Sequence, residues 1–220
     1  MTRLELAGLL DHSVLKPEAT DTEILAGADL VREWRIGFYC VQPSFVAVAA
    51  DVLRDSDVRL VSVVGFPHGC DRSGIKAKSA ALAVEDGAAE IDMVMNVARF
   101  KSGRVQAVAD GIAQVVRAVP GIPVKVILET CLLDDDEKIV ACRLVQDAGA
   151  AFVKTSTGFN PRGGATVADV RLMRATVGPD FGVKAAGGIR TLADTMSMLE
   201  AGANRIGTSA SAAILGQLSL

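Results

Sequence analysis

Histidine is nearly missing from this sequence, with His12 and His68 the only two. A histidine-rich metal centre is therefore not expected, and no metal and no cofactor is assigned. Cysteine is sparse too, and Cys40, Cys70, Cys131 and Cys142 stand far apart with no C-x-x-C pair. That spacing fits reduced thiols better than a disulfide framework or a zinc site. Basic clusters are absent from a chain whose net charge is -3, which argues against nucleic acid as a partner. No apolar run reaches the roughly 18 residues of a membrane span. The opening MTRLELAGLLDHSVLKP also lacks the apolar core and small-residue cleavage site of a signal peptide. A cytoplasmic protein without membrane association is the expectation.

Half of the 220 residues are hydrophobic, enough to bury a sizeable core. No linker, low-complexity tract or break in composition divides them, so a single domain over residues 1–220 is expected. Short β-rich segments recur along the chain: HSVL, GFYCV, RLVSVV, EIDMVMN, VKVILE, FVKTST, GVKAA and RIGTS. Between them lie alanine-rich stretches of helical length, such as TDTEILAGADLVREW and GRVQAVADGIAQVVRAV, and SAAILGQL closes the series. This alternation is the pattern of parallel strands joined by crossover helices. Eight such units predict an α/β fold, a (β/α)8 TIM barrel, with TRLELAGLL as an additional N-terminal helix; a doubly wound open sheet is the rival. The phrases VEDGAAEID, VQDAGAAFVK and MLEAGANRIG repeat one helix-to-strand unit, which favours the barrel.

The segment AAFVKTSTGFNP sets a lysine, Lys154, inside an apolar strand. An ammonium there must neutralise, find an acid or snorkel to solvent. Lys154 has company, because Lys125 and Lys184 sit mid-strand in the flanking VKVILE and GVKAA. Strand alternation groups Phe152, Lys154 and Ser156; Lys184 and Ala186; Lys125, Ile127 and Glu129; and Glu90, Asp92, Val94 and Asn96. Two uses of these lysines stand open. They can form a structural ion-pair network with Asp92 or Glu129, or one of them can be a nucleophile made neutral by burial and a cationic neighbour. Bringing a lysine to neutrality near pH 7 takes roughly 4 to 5 kcal/mol of differential destabilisation of its charged form. Asp92 is placed by parity either to move protons or simply to pair with Lys184.

A second signal lies at the last three strand ends, where TSTGF, AAGGIRT and RIGTSA each combine glycine with hydroxyl residues. Turns of this kind cradle anions with backbone N–H groups, and barrels of this class often bind phosphate after their last strands. Gly158, Gly187, Gly188 and Ser209 are the candidates, with Arg190 a weaker one.

Taken together, DHSVLKP, GFYCVQPSFV, VVGFPHG, EIDMVMN, VKVILET, FVKTSTGF, GVKAAGGIRT and RIGTSA resemble the deoxyribose-phosphate aldolases, class I aldolases that act without a metal. The resemblance implies reversible cleavage of 2-deoxy-D-ribose 5-phosphate to D-glyceraldehyde 3-phosphate and acetaldehyde through a lysine Schiff base. It implies that Lys154 forms the imine, that Lys184 lowers the pKa of Lys154, and that Asp92 works with ordered water as acid and base. By the same matching, Cys40 and Thr155 belong to the substrate pocket, Asp11 and Ser13 line its floor, and Lys125 supports the charge network. The expected partner is a small phosphosugar, and the expected assembly a homo-oligomer, most simply a dimer. Two departures are visible: some members carry a lysine where this chain has Phe159, and some end in a tyrosine-bearing tail where this chain reads GQLSL. A barrel that isomerises or condenses sugar phosphates without an imine, or one that only binds them, would share the glycines and need no paired lysines.

Overall fold

Four helices start on reciprocal caps written into the local sequence. Thr2 with Glu5, Thr20 with Glu23, Asp134 with Glu137 and Thr191 with Asp194 each exchange side-chain and backbone hydrogen bonds across one turn. The computed structural model describes residues 1–218, so the end of GQLSL, residues 219 and 220, lies outside the described residues. Helix α1 (Arg3–Ala7) precedes β1 (Leu10–Val14), and α2 (Asp21–Glu33) leads to β2 (Phe38–Val41). Then come α3 (Val46–Leu53), β3 (Arg59–Val64), α4 (Ser73–Glu85) and β4 (Glu90–Val94). After β4 the chain forms α5 (Val97–Lys101) and α6 (Val105–Ala118), then β5 (Val124–Ile127) and α7 (Asp135–Asp147). The series ends with β6 (Phe152–Lys154), α8 (Val167–Val177), β7 (Gly182–Ala186), α9 (Leu192–Glu200), β8 (Arg205–Thr208) and α10 (Ser211–Leu215).

Each strand pairs in parallel with the next, and β8 pairs with β1, so the sheet closes into a (β/α)8 barrel. The main core lies between strands and helices, where Tyr39, Ile91, Met93, Val126, Val153, Val183 and Ile206 project outward from the barrel. Helix α2 is seated on β2 through Tyr39, whose hydroxyl donates to the Ile24 carbonyl at 2.8 Å. Position 27 must be glycine for this contact, because a Cβ there would run into the Tyr39 hydroxyl.

The strands are shorter than the β-rich segments suggest at three C-terminal ends. EIDMVMN leaves the ladder after Val94, and Asn96 caps α5 by accepting the Arg99 N–H at 3.0 Å. VKVILE leaves it after Ile127, and FVKTST after Lys154. Helix α5 carries no readable apolar period because Phe100 is its one buried residue. Among the described residues no helix is long and apolar enough to cross a membrane.

Candidate active site

The barrel interior is built in layers, and the even strands supply two of them. Phe38, Glu90, Phe152 and Arg205 form the bottom layer, where the Arg205 guanidinium lies 3.2 Å from the Phe38 ring centroid and 5.4 Å from that of Phe152. Two residues further along the same strands come Cys40, Asp92, Lys154 and Gly207. Asp11, Lys125 and Lys184 interleave from odd strands. Register sets Lys154 beside Lys184 and Asp92 beside Lys125. Gly207 opens the space that the Lys184 stem occupies, since a Cβ there would lie 3.1 Å from Lys184 Cε.

The polar side chains of these layers join into one buried chain. Arg205 Nη1 donates to Glu90 Oε2 at 3.1 Å, and Lys125 Nζ bridges Glu90 Oε2 at 2.5 Å and Asp92 Oδ1 at 2.9 Å. The other Asp92 oxygen accepts from both remaining lysines, Lys154 Nζ and Lys184 Nζ, each at 2.7 Å. Lys184 also bonds Asp11 Oδ2. Burial alone would raise the Asp92 carboxyl, but Lys125, Lys154 and Lys184 outweigh it and hold Asp92 well below the usual carboxylate range. For Lys184 the balance is the mirror image: burial disfavours its charge, Asp11 and Asp92 overcome that, and its pKa is raised. Lys184 is thus a fixed ammonium. Cys40 stays a thiol, its pKa pushed up first by burial and then by Asp11 and Asp92.

Above this network opens a cavity of about 580 Å³ at the C-terminal ends of the strands. Asp11, Ser13, Cys40, Lys154 and Lys184 line its floor and walls, and Gly158, Gly187, Gly188, Arg190 and Ser209 its rim. Asp92 lies beneath Lys154 and Lys184, fully buried and outside the lining, as does Lys125. Thr155 is also outside the lining, contrary to its expected place in the pocket. Its hydroxyl donates to the Ala186 carbonyl and accepts the Ala186 N–H, each at 3.0 Å, and so ties β6 to β7. Among the described residues Glu129 pairs with no lysine: it accepts from the backbone and hydroxyl of Thr157.

At the rim, Gly158 (φ 84°) and Gly187 (φ 92°) take left-handed backbone that favours glycine, and they pack on each other. Among the described residues the backbone N–H groups of Gly158, Gly188 and Ser209 meet no acceptor. These three residues follow β6, β7 and β8 and line one cavity, so their free donors are available to an anion bound there. Phe159 stands there edge-on to Phe66, ring centroids 5.2 Å apart.

Sequence reasoning assigned no role to Arg205 or Lys76. Arg205 carried a signal, because it falls on the inward parity of RIGTS. Lys76 carried none: its Nζ reaches the carbonyls of Gly69 and Val94, both at 2.6 Å, through folds of the chain that no spacing reports.

Fold and site define an α/β-barrel enzyme with a lysine–carboxylate centre beneath a glycine-rimmed cavity. The model of the DeoC/LacD family aldolases matches residues 7–217, and the chain belongs to that family. It is 51% identical over 215 residues to the deoxyribose-phosphate aldolase of Caldanaerobacter subterraneus subsp. tengcongensis, covering 96% of this chain and 93% of that one. It is 50% identical over 212 residues to the deoxyribose-phosphate aldolase of Streptococcus sanguinis, covering 96% of each. The structure of the deoxyribose phosphate aldolase from Aeropyrum pernix, described as a unique tetrameric one, superposes with a TM-score of 0.90 at 30% identity, covering 98% of this chain and 91% of that one.

Proposed function

We propose that this chain cleaves 2-deoxy-D-ribose 5-phosphate reversibly into D-glyceraldehyde 3-phosphate and acetaldehyde, through an imine on Lys154. One observation carries the reading. Lys154 stands at the cavity floor beside Lys184, and both ammonium groups share a single Asp92 oxygen. With Arg59 also meeting Glu90 Oε1 at 3.4 Å, the network joins five cations, Arg59, Lys125, Lys154, Lys184 and Arg205, to three carboxylates, Asp11, Glu90 and Asp92. Within this excess of cations, Lys154 faces the cavity with a single carboxylate contact, and the proposed reaction uses its amine.

Neutral Lys154 Nζ attacks C1 of the open-chain aldehyde, and loss of water from the carbinolamine leaves an iminium ion. The C2–C3 bond then breaks, its electron pair moving to C2 and forming the enamine. The hydroxyl on sugar C3 loses its proton as that carbon becomes the C1 aldehyde of glyceraldehyde 3-phosphate. Protonation of the enamine at C2 and hydrolysis of the imine release acetaldehyde and restore Lys154. Asp92 is reached only past Lys154 and Lys184, so its share in these proton transfers runs through a group bound between it and the substrate. Asp11 is a lining residue of the cavity, and its buried Oδ1 has no partner among the described residues. The phosphate sits at the rim on the N–H groups of Gly158, Gly188 and Ser209. Assembly is proposed only as homo-oligomeric, since the dimer expected from barrel size gains no support from a relative described as tetrameric.

Borohydride reduction in the presence of acetaldehyde tests the imine. A reduced two-carbon adduct mapped to Lys154, lost in Lys154→Arg while the circular dichroism spectrum is kept, is the expected result. A folded Lys154→Arg protein that still cleaves the sugar phosphate would refute it, because arginine does not deprotonate in proteins.

A further inference from the structure

Glu129 is the anomaly in the neighbourhood of the site. It is buried, it forms no ion pair among the described residues, and its backbone is left-handed at φ 57° and ψ 61°. A side chain with a Cβ rarely adopts that conformation, and strain of this kind persists only where the surroundings impose it. The flanking backbone is held independently, because the Leu128 N–H donates to the Lys154 carbonyl at 2.9 Å and the Thr130 N–H to the Thr155 carbonyl at 3.0 Å. The side chain therefore has a separate task. Both its oxygens are spent on Thr157: Oε1 accepts the backbone N–H at 3.1 Å and Oε2 the hydroxyl at 2.6 Å. With its proton committed to Glu129, the Thr157 hydroxyl turns a lone pair to the Phe159 N–H at 3.1 Å. That bond closes the turn around Gly158 and leaves the Gly158 N–H free at the rim.

We infer that Glu129 is a positioning residue for phosphate affinity, acting through Thr157 on the Gly158 donor; this rests on the phosphate end proposed above. A carboxylate behind an anion site opposes the anion by its charge. Geometry and charge thus make opposite forecasts for Glu129→Gln, which keeps the shape and removes the charge. Were the charge alone important, the variant would bind phosphate more tightly. As a positioning residue it binds less tightly, because the glutamine N–H₂ faces the Thr157 hydroxyl, turns it around and competes for the lone pair held by Phe159.

The test is steady-state kinetics of wild type, Glu129→Gln and Glu129→Gly on 2-deoxyribose 5-phosphate and on 2-deoxyribose, with acetaldehyde–borohydride trapping alongside. Glu129→Gly answers the concern over folding, since glycine accepts the left-handed backbone without strain. The expected result is a KM for the phosphorylated sugar raised about tenfold or more in both variants, the loss of a hydrogen bond to a charged group. Kinetics on the plain sugar and the yield of trapping stay within about twofold of wild type. A double variant Glu129→Gln/Thr157→Val should be no worse than Thr157→Val alone, because both break one linkage. Equal losses on both sugars, an unchanged KM, or a lowered KM in Glu129→Gln would each overturn the inference while leaving the aldolase reading intact. A wild-type protein with no preference for the phosphorylated sugar would overturn the phosphate end and this inference together.

Discussion

A leucine at position 184 keeps much of the volume of the lysine stem and removes the charge that Asp11 and Asp92 share. Two effects follow, and they separate cleanly. Chemically, Lys154 loses the neighbouring ammonium that competes with it for Asp92, so it holds its own proton more firmly and turnover near pH 7 should fall by several orders of magnitude. Structurally, Asp11 becomes a buried carboxylate without a cation, which costs about 3 to 5 kcal/mol. Lys184→Leu should therefore be both inactive and less stable, and Lys184→Leu/Asp11→Asn should recover most of the stability and none of the activity. Denaturant titration and turnover on the sugar phosphate measure the two. Near-normal turnover in either variant would remove Lys184 from the chemistry. At this scale the lysines were legible because mid-strand charge is conspicuous in an apolar run. The layer position of Asp92, beneath the lysines and away from the cavity, was not, since parity gives the face of a strand and not the depth within the barrel.

Elements are held at the mouth by contacts of a different kind. Lys76, in the first turn of α4, spends its ammonium on the carbonyls of Gly69 and Val94 and so fastens the loop after β3 to the end of β4, two residues beyond Asp92. Phe66 rides on that loop against Phe159. Burial pulls the Lys76 pKa down to about 8, against the opposing pull of Asp71 and Cys70. The sign of the linkage follows. Below about pH 8 both folded and unfolded chains carry the proton, and the fold bears the full cost of burying it. Between about 8 and the ordinary 10.5 the unfolded chain keeps a proton that the folded chain has released, so this group adds stability as pH rises. Lys76→Met should abolish that rising component, seen as the wild-type-minus-variant difference in unfolding free energy between pH 7.5 and 10. A difference that is flat or falls with pH would show that Lys76 stays charged in the fold. Such clamps explain what the sequence conceals about elements. The eight strands are legible because each alternates with an alanine-rich helix, whereas the caps at Thr20, Asp134 and Thr191 emerged only with the structure. Helix α5 and the early ends of β5 and β6 depend on where loops dock, as Glu129 leaves the β5 ladder to hold the loop after β6.

For the whole molecule, the interior chain from Arg205 through Glu90, Lys125 and Asp92 to Lys154, Lys184 and Asp11 ties six of the eight strands by charge as well as by ladder hydrogen bonds. Its centre is Asp92, which three lysines contact and which has no access to solvent. Because those lysines hold its folded pKa well below its ordinary value, the stability it supplies is fully present above the unfolded pKa of about 3.9. That contribution is lost as pH falls through the depressed folded value. Unfolding free energy should thus decline below about pH 4 more steeply than surface carboxylates alone would make it. Asp92→Asn isolates the term: the variant leaves Lys125, Lys154 and Lys184 without their shared acceptor, so it should be several kcal/mol less stable at pH 7, of the order expected for breaking a buried pair. Below pH 4 the gap between variant and wild type should narrow, because the unfolded wild-type chain then takes up at Asp92 a proton that the folded chain does not. Denaturant midpoints for both proteins at pH 7, 5, 4 and 3 give the comparison. A gap that stays constant down to pH 3 would mean that Asp92 takes up its proton at the same pH in the folded and unfolded chains, and the acid sensitivity of the barrel would then belong to carboxylates outside this network.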